Sequence, residues 1–159
     1  MHYNILMTIY LGADHGGIAL KAKLKAILAN DAYEVVDVGA DGADPGDDYP
    51  DFAKLVAEKV GEAPDAIRGI LICRSGFGMD IAANKFRGVR AALPMSPDHA
   101  YQARHDDDVN VLCLAADFTD ETTALNIVKV FLSTPFAKDG RYERRLQKIS
   151  AIESENASG

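Results

Sequence analysis

One segment of the chain, Cys73-Arg74-Ser75-Gly76-Phe77-Gly78-Met79, combines a thiol, a hydroxyl and two glycines directly after the apolar run Ile70-Leu71-Ile72. It opens into Asp80-Ile81-Ala82-Ala83-Asn84-Lys85, a small-residue stretch of helical character. A strand that ends on a thiol and turns through glycines into a helix presents free backbone N–H groups, which suit an anion. The same field lowers a cysteine's pKa and makes thiolate available. A base beside an anion hole is the minimum equipment for taking a proton from carbon alpha to a carbonyl. Taken alone, the stretch fits a tight strand–helix turn with a buried structural cysteine equally well.

These groups need elements to hold them, and the pattern alternates strand and helix throughout. Short runs rich in Val, Ile and Leu at Thr8–Gly12, Glu34–Val38, Gly69–Cys73, Val89–Leu93 and Asn110–Leu114 read as strands covered on both faces. Leu20, Leu24, Ile27 and Leu28 form one helical stripe, and Phe52, Leu55, Val56 and Val60 another. Further helices are expected near Pro97–Arg104, Asp120–Leu132 and Arg141–Ile152, a long acidic loop at Ala40–Asp48, and a frayed tail at Glu153–Gly159. Such alternation predicts an α/β fold of right-handed βαβ units. The expectation is one doubly wound, Rossmann-like three-layer αβα domain on a five-stranded parallel sheet. In that architecture ligands bind beyond the carboxyl ends of the strands. The loops to read are therefore Gly12-Ala13-Asp14-His15-Gly16-Gly17, the approach to Tyr49, the Cys73 turn, Arg104-His105-Asp106-Asp107-Asp108, and Ala115-Ala116-Asp117.

Composition narrows the function classes. The 159 residues suffice for one domain with a proper core, taken as Met1–Gly159 with the core from about 7 to 152. A formal charge of −7 argues against nucleic-acid or anionic-membrane partners. No apolar run approaches the length of a membrane span. Residues 1–6 lack a basic region and a cleavage site, and Met7 is an alternative start. The two cysteines, Cys73 and Cys113, sit in separate apolar runs, so a reduced cytoplasmic setting is expected rather than a disulfide.

In order and spacing, several segments together resemble the ribose-5-phosphate isomerase type B family, which also holds the galactose-6-phosphate isomerase subunits. They are Gly12-Ala13-Asp14-His15-Gly16-Gly17, Asp48-Tyr49-Pro50-Asp51, the Cys73 turn, Ile81-Ala82-Ala83-Asn84-Lys85, Gly88-Val89-Arg90-Ala91-Ala92, Asn110-Val111-Leu112 and Gly140-Arg141. The resemblance runs from about Thr8 to Ile152. It implies aldose–ketose interconversion of a phosphorylated sugar through an enediolate, with no metal and no organic cofactor. Cys73 matches the cysteine that shuttles the proton, and Ser75, Gly76, Phe77 and Gly78 match the turn that holds the enediolate oxygen. Asp14 and Tyr49 match residues bordering the sugar. His15, Arg141 and Arg145 match the phosphate-binding set, the two arginines reaching into a partner subunit's site. A homodimer or tetramer with shared active sites is thereby implied, and Arg is suited to phosphate by its planar fork.

Blander readings stand beside these. Asp14 fits a helix N-cap, His15 an exposed loop, Arg141, Arg144 and Arg145 a solvated face, Lys85 and Arg90 the surface, and Cys113 core packing. The chain also departs from the family pattern. Where relatives carry Arg, any residue, His, Asn, this chain has Arg104, His105, Asp106 and Asp107. Ring opening thus falls to Asp106 or to His105 one residue early, and a substrate contact to Asp107. Neighbouring side chains on a helix diverge, so His105 does not automatically take the missing place. Asp117 stands where many relatives have arginine, and Arg74 where many have glycine, so Arg74 restores that charge from another direction. A cation held by Asp106, Asp107 and Asp108 is disfavoured for want of calcium-loop spacing. Ribose 5-phosphate is the default substrate. A tetrose phosphate, which cannot close the ring, a hexose phosphate, or a silent binding subunit are the alternatives.

Overall fold

The computed structural model describes residues 7–31 and 33–157. Five strands, β1 (Thr8–Ala13), β2 (Glu34–Asp37), β3 (Ile67–Cys73), β4 (Ala91–Ala92) and β5 (Val111–Ala115), form one parallel sheet in the order β2-β1-β3-β5-β4. The helices are α1 (Ile18–Asn30), α2 (Tyr49–Glu62), α3 (Phe77–Ala83), α4 (Pro97–Asp107), α5 (Glu121–Ser133) and α6 (Gly140–Ala157). Strand alternation splits the core into two. Ile70, Ile72, Leu112 and Leu114 face Leu24, Leu28, Ile127 and Phe131. Leu71, Cys73, Val111 and Cys113 face Ala53, Val56, Val60 and Met79. The three-layer α/β expectation is met.

Details differ. On α2 the buried stripe is Ala53, Val56, Ala57 and Val60, while Leu55 is exposed, because the helix approaches the sheet closely enough for alanines to make the contact. The fourth strand shrinks from Val89–Leu93 to two residues. Side-chain amides take over its main-chain hydrogen bonds: Asn110 accepts from Arg90 N–H and donates to Gly88 C=O, and Asn84 accepts from and donates to Ala91. The tail is helical to Ala157 rather than frayed, and Glu153 accepts from the Gly88 N–H. The reading of residues 1–6 lies outside the described residues. Among those described, no helix is long and apolar enough to cross a membrane.

The acidic loop is anchored from within. Lys21 is buried and donates to Asp37 Oδ1 and to Ala40 C=O, both at 2.7 Å. Burial alone would raise the Asp37 pKa, but hydrogen bonds from Lys21, the Gly39 N–H and Lys25 outweigh it and hold it below 3.8. That contribution is complete above the ordinary carboxylate value and is lost as pH falls through the depressed one. Lys21→Ala removes the buried partner of Asp37, leaving it only the exposed Lys25 and the Gly39 N–H, and is expected to lower unfolding free energy by about 3 kcal/mol in a denaturant titration.

Candidate active site

Strand order reverses between β1 and β3: β1 continues to the outer β2, whereas β3 leads toward β5 and β4. This is the switch point at which doubly wound sheets bind ligands. Asp14 and His15 leave β1 there and the Cys73 turn leaves β3, the two strands being joined by Ala13↔Ile72 pairing and by the Asp14 N–H to Ile72 C=O.

Cys73 is 4% exposed. The Gly76 N–H donates to its sulfur at 3.2 Å, in a turn that places Gly76 at φ 77°, a conformation favouring glycine. The Gly76 N–H thus serves the thiol, and the amides of Phe77 and Gly78 lie in the first turn of α3, where helix N–H groups lack intrahelical partners. Gly78 has a second task, since a Cβ there would lie 2.6 Å from the Tyr49 ring. Tyr49, the first residue of α2, is thus laid directly on the turn. Ser75 lines an adjoining cavity of about 470 Å³ with Phe77, Asp80, Leu93, Met95 and Phe118.

Asp14 is not a helix cap. Gly17 occupies that position, and Asp14 Oδ1 accepts from the Gly16 N–H at 2.9 Å. His15 is not a free loop residue either: its Nδ1 lies 2.5 Å from Asp47 Oδ1. Hydrogen bonding to Asp47 raises the His15 pKa above 6.5, opposed by burial and by Arg74 and assisted by the charges of Asp47 and Asp14. Asp47 was missed by sequence reasoning, as its partner is 32 residues away and its own surroundings read only as an acidic loop. Donor atoms of Asp14, His15 and Asp47 lie within 4.8 Å of one another. His15 Nδ1 and Asp14 Oδ1 are already engaged in hydrogen bonds, and the group reads as a polar rim. Arg74 packs its stem over Gly16 and sets its guanidinium 3.9 Å from Asp117, so the two departures from the family pattern face each other as cation and anion.

The remaining expected residues are elsewhere. Asp106 lies at the C-terminal end of α4, level with the start of β5, whereas Cys73 is level with its end through Cys73↔Ala115. Five strand residues make that separation roughly 13 Å or more along the strand direction. At this far end Asp106 is joined by His105, Tyr142, Arg141 and Arg145. His105 Nδ1 is 2.7 Å from Asp106 Oδ1, and its ring stacks on Tyr101 and meets the edge of Tyr142. Neighbours on the helix therefore do converge here, because Asp106 bends back to the imidazole. Arg141 and Arg145 sit 4.6 and 5.9 Å from the Tyr142 ring centroid. Hydrogen bonding from His105 lowers the Asp106 pKa, burial opposes it, and Tyr142 and Arg141 reinforce it.

Asp107 belongs to neither cluster and lines a separate groove beside Arg90, Ile149 and Glu153. Asp108 braces the buried Arg104 and also Arg90, at 2.8 and 2.9 Å. The three consecutive carboxylates thus diverge, and Arg90 and Arg104 hold the loop together. Cys113 is fully buried, which pushes its thiol up.

The model of the family described as Ribose/Galactose Isomerase matches residues 9–149. The chain belongs to this family. It is 44% identical over 147 residues to the probable ribose-5-phosphate isomerase B of Mycoplasma genitalium, covering 92% of this chain and 96% of the relative. Identity to ribose-5-phosphate isomerase B of Mycolicibacterium paratuberculosis is 36% over the same length, with 92% of each covered. The Mycoplasma genitalium enzyme has been solved with bound ribulose-5-phosphate; that structure aligns with a TM-score of 0.91 over 93% of this chain and 97% of the other. The Clostridium thermocellum ribose-5-phosphate isomerase B aligns at 0.89, with 40% identity, over 94% and 99%.

Proposed function

We propose that this chain interconverts ribose 5-phosphate and ribulose 5-phosphate, with Cys73 as the base. The observation that carries the reading is the thiol at the sheet's switch point, with the Gly76 amide on its sulfur and the Phe77 and Gly78 amides beyond. From the open-chain aldose, the Cys73 thiolate takes the proton on C2. The C2–H electrons form the C1–C2 double bond, and the carbonyl electrons move onto O1. Amides at the α3 entry and the Ser75 hydroxyl stabilise that oxyanion. Transfer of the O2 proton to O1 leaves the charge on O2. As the O2 electrons form the C2 carbonyl, the C1–C2 double-bond electrons take the thiol proton onto C1, giving the ketose and regenerating the thiolate. Asp14 and Tyr49 border the sugar, His15 meets the phosphate, and the reaction calls for no cofactor.

A second copy completes the site. Arg141, Arg145, Asp106 and His105 lie at the wrong end of their own sheet to reach Cys73. Large apolar side chains stand exposed on α3, α6 and the loop after β5: Phe77, Ile81, Ile149, Ile152 and Phe118. A second copy seated on these elements would cover them. The reading is a cytoplasmic homodimer, or a tetramer of such dimers, with each phosphate held by the other subunit's arginines.

Asp106 is held ionised, so the acid that opens the sugar ring is assigned to His105, oriented by Asp106. His105→Ala should then slow ribose 5-phosphate turnover and spare a tetrose phosphate, which is always open. Equal loss on both substrates would make His105 structural. A parent enzyme that strongly prefers the tetrose phosphate would instead show that the departure at Asp106 has removed ring opening altogether.

A further inference from the structure

Resting on the sugar-phosphate reading above, we infer that Asp47 is a positioning residue that locks the His15 imidazole and presents its Nε2–H as a cationic donor to the substrate phosphate. Asp47 Oδ1 takes two hydrogen bonds from the same residue, from Nδ1 at 2.5 Å and from the His15 backbone N–H at 3.1 Å. Side chain and backbone of His15 are thereby tied to one oxygen, and the ring has a single orientation. With Nδ1–H committed, Nε2 is the nitrogen left for a ligand. The His15 side chain remains 28% exposed, so that nitrogen is reachable.

The carboxylate has a cost that loop stability does not explain. Asp47 is 12% exposed, and its Oδ2 is buried with no hydrogen-bond partner. An asparagine would offer His15 the same acceptor without burying an unpaired charged oxygen. What the charge adds is a proton held on the ring. The groups facing His15 are Asp47 from the acidic loop, Asp14 from the end of β1 and Arg74 from the turn after β3. The two carboxylates outweigh the guanidinium, and the imidazolium persists above the ordinary 6.5.

This matters for the ligand. A phosphate monoester becomes a dianion above about pH 6. An ordinary histidine loses its charge almost as soon as the ligand gains its second one. With Asp47 the cation persists further into the range in which the phosphate is a dianion. Losing the His15 proton weakens phosphate binding, so KM rises as pH climbs through the His15 pKa. Asp47→Asn keeps the acceptor and removes the charge, so that rise should begin at lower pH.

The test compares the parent with Asp47→Asn and Asp47→Glu. The His15 imidazole is followed by NMR titration, its resonance assigned with His15→Gln. Inorganic phosphate binding and the KM and kcat for ribose 5-phosphate are measured from about pH 6 to about pH 8.5. In Asp47→Asn the His15 titration should move to lower pH. Phosphate affinity and KM should stay near parental at the acid end and weaken several-fold in the pH interval between the variant's His15 titration and the parent's, with kcat nearly unchanged. Asp47→Glu should recover part of the effect. An unmoved His15 titration, a KM change equal at all pH values, or a fall in kcat alone would overturn the assignment. Absence of turnover on any aldose phosphate would remove the isomerase reading, while the NMR and inorganic-phosphate arms would still decide the role of Asp47.

Discussion

Replacing Cys73 with alanine is expected to lower kcat for ribose 5-phosphate by roughly a thousandfold or more, with substrate affinity close to parental. The sulfur sits at the end of β3, 4% exposed, with the Gly76 amide on it. No other side chain in this cluster replaces it directly: Asp14 is tied to the Gly16 amide and His15 to Asp47. Removing the sulfur therefore removes the proton acceptor and leaves the amides and the phosphate contacts. A steady-state assay paired with calorimetric binding separates the two effects. Near-normal turnover in Cys73→Ala would sink the mechanism. Equal losses of turnover and binding would mean that the turn had lost its shape.

The second large effect concerns the shared site. Arg141→Ala should raise KM by about 10- to 100-fold, the weight of one charge-assisted contact to phosphate. Assayed well below KM, Arg141→Ala and Cys73→Ala proteins should each be nearly inactive. Mixed after co-expression or co-refolding, they should regain up to about a quarter of parental activity, since half of the dimers then carry one intact site. Within one subunit no such rescue is available, because Cys73 and the Arg141 cluster are level with opposite ends of β5. Failure of the mixture to recover, with mixed dimers shown to form, would place all the machinery in one chain. Full activity in a strictly monomeric protein would do the same.

Much of the fold was readable because each element states its own period. Four of the five strands lie close to the expected runs, since Val, Ile and Leu in short blocks can be buried on both faces only in a covered parallel sheet. The fourth did not survive at its expected length, because Asn84 and Asn110 reach its main chain from elsewhere in the chain. Leu55 read as core by helical spacing, yet the close approach of α2 to the sheet puts Ala53 and Ala57 there instead. Spacing reports which residues share a face. It does not report which face is pressed hardest against its neighbour.

The candidate site divides in the same way. Residue order marked the Cys73 turn and the polar loop of Asp14 and His15, because a thiol before a glycine turn and a polar run after an apolar strand are local patterns. The roles of Tyr49 and of the α6 arginines came only through the family resemblance. The partners of those residues are not local. Asp47 meets His15 across 32 residues, and Asp106 joins Tyr142 and Arg141 only because α6 returns to the end of α4. The tertiary structure alone decided that Asp107 and Asp108 turn away, that Gly76 serves the sulfur, and that the far cluster cannot reach its own Cys73. The physical reason is directional: a chain's sequence sets what each residue can offer, but a hydrogen bond or a shared ligand needs two groups within about 3 Å, and only the packed sheet and helices fix that distance.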